Sequence, residues 1–273
     1  MKLNITTIQL FVFIVLASTI YSFAQQKSLA EAKLVVDSYS PEMDSVISIG
    51  VLVNLKDDWH IYWRNPGDSG MPTDIEFSLP NEIKASEIKF PVPEIFASDE
   101  IVNYGYSHQV LLMSELFISK DYPKKEFSIT AKLTSLICKD LCNAFDTTVT
   151  IKLDLSKNYL AETNISDLFE SAKNLLPQKN HSLKTSATFK SDSVYLKVNG
   201  DEINNASSVR FLSYESGMYR NSINQNTIKK ENHLELILEP DPYRVKDPTE
   251  VNGIIILNDN HTKAYEINLP IAN

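Results

Sequence analysis

Cysteine is nearly absent from this chain, with two in 273 residues, Cys138 and Cys142. So low a count excludes a small disulfide-framework fold and leaves stability to a hydrophobic core. Metal-ligand spacing is missing too. The histidines at 60, 108, 181, 233 and 261 are scattered, and two cysteines need two further ligands to complete a zinc site. No metal and no organic cofactor is expected. Positive charge is short: Lys and Arg number 26 against 35 Asp and Glu, for a net charge of −9. Without a basic cluster, nucleic acid and anionic membrane surfaces are poor partners. Beyond the N-terminus no run is long and apolar enough to cross a bilayer, and there is no fixed-period repeat or low-complexity segment.

What is present begins with MKLNITTIQLFVFIVLASTIYSFAQQ. Lys2 precedes an apolar run from Ile8 to about Ile20, and Ser22-Phe23-Ala24 forms a small-x-small pattern before Gln25. Residues 1–24 therefore read as a secretory signal peptide, the apolar run being shorter than the ~20 residues of a spanning helix. A soluble, periplasmic or otherwise extracytoplasmic protein is expected, in a compartment where disulfides persist.

Twelve Tyr and twelve Phe, with abundant Val, Ile and Thr, favour strands. Short runs recur between turn signals: AKLVVDSYSP, SVISIGVLVNL, TDIEFSLP, VLLMSELFIS, EFSITAKLTSLIC and TTVTIKLDL. Alternation is clear from Glu126 to Leu133 and from Thr148 to Leu153. Many short strands at this spacing predict an all-β fold of antiparallel sandwiches. One stretch departs from it. Ile165, Leu168, Phe169, Ala172, Leu175 and Leu176 follow helical spacing, with Asn164 or Ser166 as candidate caps and Pro177 as terminator. The β pattern then resumes in SATFKSDSVYLKVNG, SVRFLSYES, HLELILEP, GIIILND and AYEINLPIA. The expected organisation is a first β-sandwich at 25–157, a helix and linker at 158–180, and a second β-sandwich at 181–273, the last a structural or docking module.

Three local signals carry chemistry. Residues 59–72, WHIYWRNPGDSGMP, combine large rings with turn residues and read as a rigid aromatic corner. The GDSG within it does not make Ser69 a hydrolase nucleophile, because no base histidine and orienting acid accompany it. Residues 99–107, DEIVNYGYS, place two acids and two tyrosines around a glycine, as a covering loop or an ordinary acidic hairpin would. The CKDLC pair is the third. A bridge there closes a very short loop, worth about 2 kcal/mol against roughly 4–5 for loops near a hundred residues. A CxxxC among strands does not match the CxxC of a thioredoxin site. Two readings remain open: a redox dithiol, in which one thiolate attacks a partner's disulfide and the other resolves it, and a structural staple. Lys139 favours a thiolate next to it and Asp140 opposes one.

The segments WHIYWRNPGDSGMPTDIEF, FPVPEIF, NYGYS with VLLMSELFI, and LICKDLC resemble the N-terminal periplasmic domain of the DsbD/ScsB-type thiol:disulfide interchange reductases, over about residues 33–155. Residues 181–273 more loosely resemble the region after this domain in the ScsB-like branch. The resemblance implies an immunoglobulin-like sandwich with Cys138 and Cys142 as the redox pair. It also implies a cap over them from the loop containing Asp99, Glu100, Tyr104 and Tyr106, with Tyr104 as the shielding ring, although the family's DEFYG is replaced by DEIVNYG. In that family electrons pass from a thioredoxin-like module to oxidised periplasmic proteins. The full reductases continue into a multi-helix membrane domain and a thioredoxin domain, and neither pattern is found here. A separate thioredoxin-like or membrane thiol:disulfide reductase is therefore the expected donor. Oxidised periplasmic clients are the expected acceptors, in protein-disulfide reduction or cytochrome c maturation. The other class is a non-catalytic binding or scaffold module with a structural disulfide.

Overall fold

The computed structural model describes residues 28–41, 46–98, 101–119, 122–123, 125–179, 183–222, 224–231, 233–258 and 263–272. The expected signal peptide lies outside them. Ten strands come first: β1 (Ala30–Val36), β2 (Val46–Leu55), β3 (His60–Gly67), β4 (Asp74–Ser78), β5 (Ile83–Ala85), β6 (Glu94–Ser98), β7 (Ile101–Ser107), β8 (Gln109–Ile118), β9 (Glu126–Cys138) and β10 (Cys142–Asp154). They form one sheet in the order β1-β2-β8-β5 and a second in the order β10-β9-β3-β7-β6, with β4 also paired to β9. Segments 60–67 and 101–107 are thus strands, where turn chemistry had suggested a corner and a loop.

Period two explains how these sheets pack. Ile47, Ile49, Val51 and Val53 of β2 meet Ile129, Ala131 and Leu133 of β9 in one buried cluster. Leu52 points the other way, with Val35, Leu111 and Met113, toward α1 (Thr163–Asn174), whose Ile165, Phe169 and Ala172 cover that face. Strands β1, β2 and β8 of the first sheet are therefore buried on both faces here, so LVV, VLV and VLLM read as unbroken apolar runs rather than alternating ones. Each large apolar side chain so buried contributes roughly 1.5–3 kcal/mol.

The helix begins where its spacing predicts, but its capping differs. Glu162 occupies the N-cap without a side-chain cap bond. Asn164 lies inside the first turn, and Ser166 reaches Asp37 Oδ1 at 3.3 Å instead of a backbone amide. After the helix, Gln178 bonds the backbone of β17 (Ala264–Ala272) on both sides: its N–H to Ala264 O at 2.8 Å, its carbonyl from Glu266 N at 2.9 Å. This part of the linker is laid down as an extra strand bridge.

The remaining elements are β11 (Lys184–Lys190), β12 (Ser193–Asn199), α2 (Asp201–Asn204), β13 (Val209–Ser213), β14 (Asn226–Lys229), β15 (Leu234–Leu238) and β16 (Glu250–Leu257). With β17 they run in the order β13-β16-β17-β11-β12-β15-β14. Val194, Leu196 and Val198 of β12 close on Phe211, Ile255 and Tyr265 across a second core. One pair departs from the expected antiparallel pattern. Strands β11 and β17 are parallel at Ala187 and Thr188, because β17 spends Ala264–Pro270 on β16 and only its end reaches β11.

The two sandwiches share buried surface. Leu212, Ile254, Ile256 and Ala264 turn away from the second core and join the first. Against them stands β3: Trp63 packs on Tyr214 with ring centroids 5.6 Å apart, and the Arg64 guanidinium lies 4.4 Å over the same ring. Asn65, almost fully buried, donates to Ser213 O at 2.8 Å.

Candidate redox site

Strands β9 and β10 pair over their whole length, ending with Cys138 opposite Cys142. The Lys139-Asp140-Leu141 turn closes this hairpin, and the two cysteines are joined by a disulfide, with Cα atoms 4.1 Å apart. The cysteines are not equivalent. Cys138 is 2% exposed, whereas Cys142 is solvent-exposed on the edge strand. Beside the turn, Lys139 Nζ pairs with Asp58 Oδ2 at 2.9 Å. Both are exposed enough that solvent screens the pair strongly.

Register decides what surrounds the bond. His60 is opposite Cys138 on one side and Ser107 on the other, while Ile61 is opposite Ile137 and Tyr106. Paired residues share a face, so His60, Tyr62 and both cysteines project together, and Ile61, Tyr106 and Ile137 project into the core. Tyr62 is the direct contact. Its hydroxyl donates to Cys138 Sγ at 3.2 Å and lies 3.8 Å from Cys142 Sγ. Burial raises the Tyr62 pKa above its ordinary value, a hydrogen bond from Ser69 opposing, so the hydroxyl keeps its proton and remains a donor.

Two glycines make room for this arrangement. A Cβ on Gly105 would stand 2.1 Å from Ile61 O, so only glycine lets β7 approach β3 beside Tyr62. Gly70 has φ +97°, and a Cβ there would lie 2.3–2.6 Å from Tyr62 Cζ, Cε1 and Cε2. The backbone of the 67–70 turn is therefore pressed flat against the hydroxyl end of the ring.

His60 stacks on Phe96 of β6 at 4.6 Å and meets Tyr62 edge-on at 5.4 Å. Its Nε2 is buried without a hydrogen-bond partner. Burial lowers the His60 pKa, with Glu94 working in the opposite direction. The imidazole beside the sulfurs is accordingly neutral at pH 7.

The residues of the expected cap are placed differently from one another. Asp99 and Glu100 lie outside the described residues. Tyr104 and Tyr106 belong to β7 and face the core. Tyr104 is 1% exposed and packs edge-on against Trp63 at 6.3 Å, and Tyr106 donates to Pro91 O at 2.7 Å. Neither ring is on the sulfur side of the sheet. Rings on that side are Tyr62, His60 and, through His60, Phe96. Alternation in His60-Ile61-Tyr62-Trp63 was the available signal, masked by the turn residues after it. Ser69 bonds Asn103, its N–H to Oδ1 at 3.0 Å and its Oγ at 3.2 Å, with no base in contact. Among the described residues no group of three or more His, Cys, Asp or Glu could hold a metal ion.

Residues 26–154 match the family described as the N-terminal region of thiol:disulfide interchange protein DsbD. This segment is a DsbD-type N-terminal domain. The crystal structure of the N-terminal periplasmic domain of ScsB from Proteus mirabilis aligns with 90% of this chain and 95% of its own, at 18% identity and a TM-score of 0.66. That likeness establishes the fold, all-β and immunoglobulin-like, and its coverage carries it past the DsbD-type domain into the second sandwich. A protein of unknown function from Porphyromonas gingivalis W83 aligns with 90% of this chain and 100% of its own at 12% identity, but its TM-score of 0.24 carries no argument. No curated protein matches the chain. Among the described residues, neither the DsbD-type domain nor the rest of the chain has a helix long and apolar enough to cross a membrane.

Proposed function

We propose that Cys138 and Cys142 are a redox-active pair that exchanges disulfides between a thioredoxin-like donor and oxidised extracytoplasmic proteins. The observation that carries this is their asymmetry: an exposed Cys142 joined to a buried Cys138, whose sulfur accepts a hydrogen bond from Tyr62. The DsbD-type fold supports the same reading.

The chemistry follows from which sulfur is reachable. A donor thiolate attacks Cys142 Sγ, the Cys138–Cys142 bond breaks, and its electron pair leaves on Cys138 Sγ. The Tyr62 hydroxyl stabilises that thiolate, since hydrogen bonds to an ionised acceptor are about twice as strong as neutral ones. The donor's second thiolate then attacks its own half of the mixed disulfide and releases Cys142. The donor departs oxidised, and the pair, taking up two protons, is left as a dithiol. Toward a client the steps reverse: Cys142 attacks the client's disulfide and Cys138 resolves the intermediate. Protein-disulfide reduction and cytochrome c maturation are the processes this serves, in the periplasm, with a separate thioredoxin-like or membrane reductase supplying electrons.

Trapping tests the assignment. The Cys138→Ser variant keeps the exposed thiol and is expected to accumulate mixed disulfides with extracytoplasmic thiol proteins, while Cys142→Ser, keeping only the buried one, accumulates far fewer. If neither variant forms a mixed disulfide in cells, the exchange function is wrong. The bridge would then be a staple across the tip of the β9–β10 hairpin.

A further inference from the structure

The Gly67-Asp68-Ser69-Gly70 turn touches both sandwiches and the redox site at once. From the second sandwich, Asn221 Nδ2 donates to Asp68 Oδ1 at 2.8 Å. The other carboxylate oxygen accepts Val102 N–H at 2.7 Å, and Asp68 N–H returns a bond to Val102 O at 2.9 Å. Just before the turn, Asn65 donates Nδ2–H to Ser213 O at 2.8 Å, and its own Oδ1 accepts Gly67 N–H at 3.0 Å. The entrance and the middle of the turn are thus tied to the second sandwich. Its exit, Gly70, is the surface on which the Tyr62 ring lies, and that ring's hydroxyl bonds Cys138 Sγ.

We infer that the second sandwich is a buttress of the redox site: through Asn221 and Ser213 it fixes the 67–70 turn, and the turn holds Tyr62 on Cys138 and so sets the redox poise of the cysteine pair. The inference rests on the proposed exchange role of those cysteines. Asn221 is in these terms a positioning residue, acting through Asp68 and Tyr62 and touching neither sulfur. The direction of the effect follows from charge. The Tyr62 bond is strongest when Cys138 is a thiolate, so it favours the reduced pair, and loosening it favours the disulfide.

The test is the equilibrium of the full chain with glutathione, in which two glutathione thiols and the protein disulfide exchange for glutathione disulfide and the protein dithiol. Asn221→Ala is expected to shift this equilibrium toward the protein disulfide by about three- to tenfold, roughly 15 to 30 mV for a two-electron couple. Tyr62→Phe shifts it the same way, and adding Asn221→Ala to Tyr62→Phe changes nothing further, as required if one residue acts through the other. Exchanging the pair, Asp68→Asn with Asn221→Asp, re-forms the bond with donor and acceptor reversed and restores the wild-type value. An unchanged equilibrium in Asn221→Ala, or an equal shift with and without the Tyr62 hydroxyl, overturns the buttress. The exchange function fails separately: a wild-type potential below about −300 mV marks a structural bridge, whatever the difference between variants.

Discussion

Substituting Gly70 by alanine leaves every group around the sulfurs chemically intact and moves one of them. Two costs can be worked from the structure. At φ +97° a side chain brings left-handed backbone strain of about 1–2 kcal/mol. The added Cβ would also stand 2.3 Å from Tyr62 Cζ, where ordinary contact begins at 3.4 Å, and the neighbouring overlaps are with Cε1 and Cε2. The hydroxyl end of the ring must therefore retreat by about 1 Å, the difference between those two distances. That movement stretches the 3.2 Å bond to Cys138 Sγ beyond useful range. A hydrogen bond to a charged group is worth about 1.5–3 kcal/mol, and one pKa unit corresponds to about 1.4 kcal/mol. The Cys138 thiol is accordingly expected to titrate about one to two units higher in Gly70→Ala. The measurement is the ultraviolet absorbance of the thiolate against pH, on reduced protein in a Cys142→Ser background so that only Cys138 contributes. Stability should fall by about 1–2 kcal/mol from the backbone term alone, read by urea denaturation. A Cys138 titration that superimposes on the parent while stability falls would refute the link between the turn and the sulfur.

Two further outcomes concern other parts of the molecule. His60 titrates lower in the fold than its ordinary value of 6.5, so the unfolded chain binds the extra proton more readily. Its stabilising contribution is complete above pH 6.5 and is lost as pH falls through the lowered value. The decline in urea midpoint on acidification should therefore flatten in His60→Phe, and an identical slope would show that burial of His60 has no such effect. Phe169, fully buried between α1 and the first sheet, is the anchor of the helix. Phe169→Ala should cost about 3–5 kcal/mol, and an unchanged urea midpoint would mean that the helix is not docked there.

Local sequence carried the parts of this molecule that local rules decide. Period two from Glu126 to Leu133 and from Thr148 to Leu153 marked the two strands of the longest hairpin, and the apolar spacing from Ile165 to Leu176 marked the helix, because both signals act between residues close in the chain. Strands β3 and β7 were not legible in the same way. Asn65-Pro66-Gly67 and Asn103 with Gly105 look like turn chemistry in isolation. In the sheet they are a strand end tied to the second sandwich and a close approach between neighbouring backbones. The shielding ring shows the limit most directly. Tyr104 and Tyr62 are both plausible covers by composition, yet a shift of one residue in register exchanges the faces of a strand. Pairing of Ile61 with Tyr106 and of His60 with Cys138 sends Tyr104 inward and Tyr62 to the sulfurs.

The sequence by itself determines that this is a strand-built protein with one pair of cysteines at the end of a hairpin. Alternation, turn residues and the spacing of two cysteines are properties of neighbours along the chain. Which sulfur is buried, which tyrosine touches it, and that a second sandwich grips the turn beneath that tyrosine were decided only by tertiary structure. Those contacts join residues as far apart as Asp68 and Asn221. They depend on sheet register and on packing between layers, which no local pattern encodes.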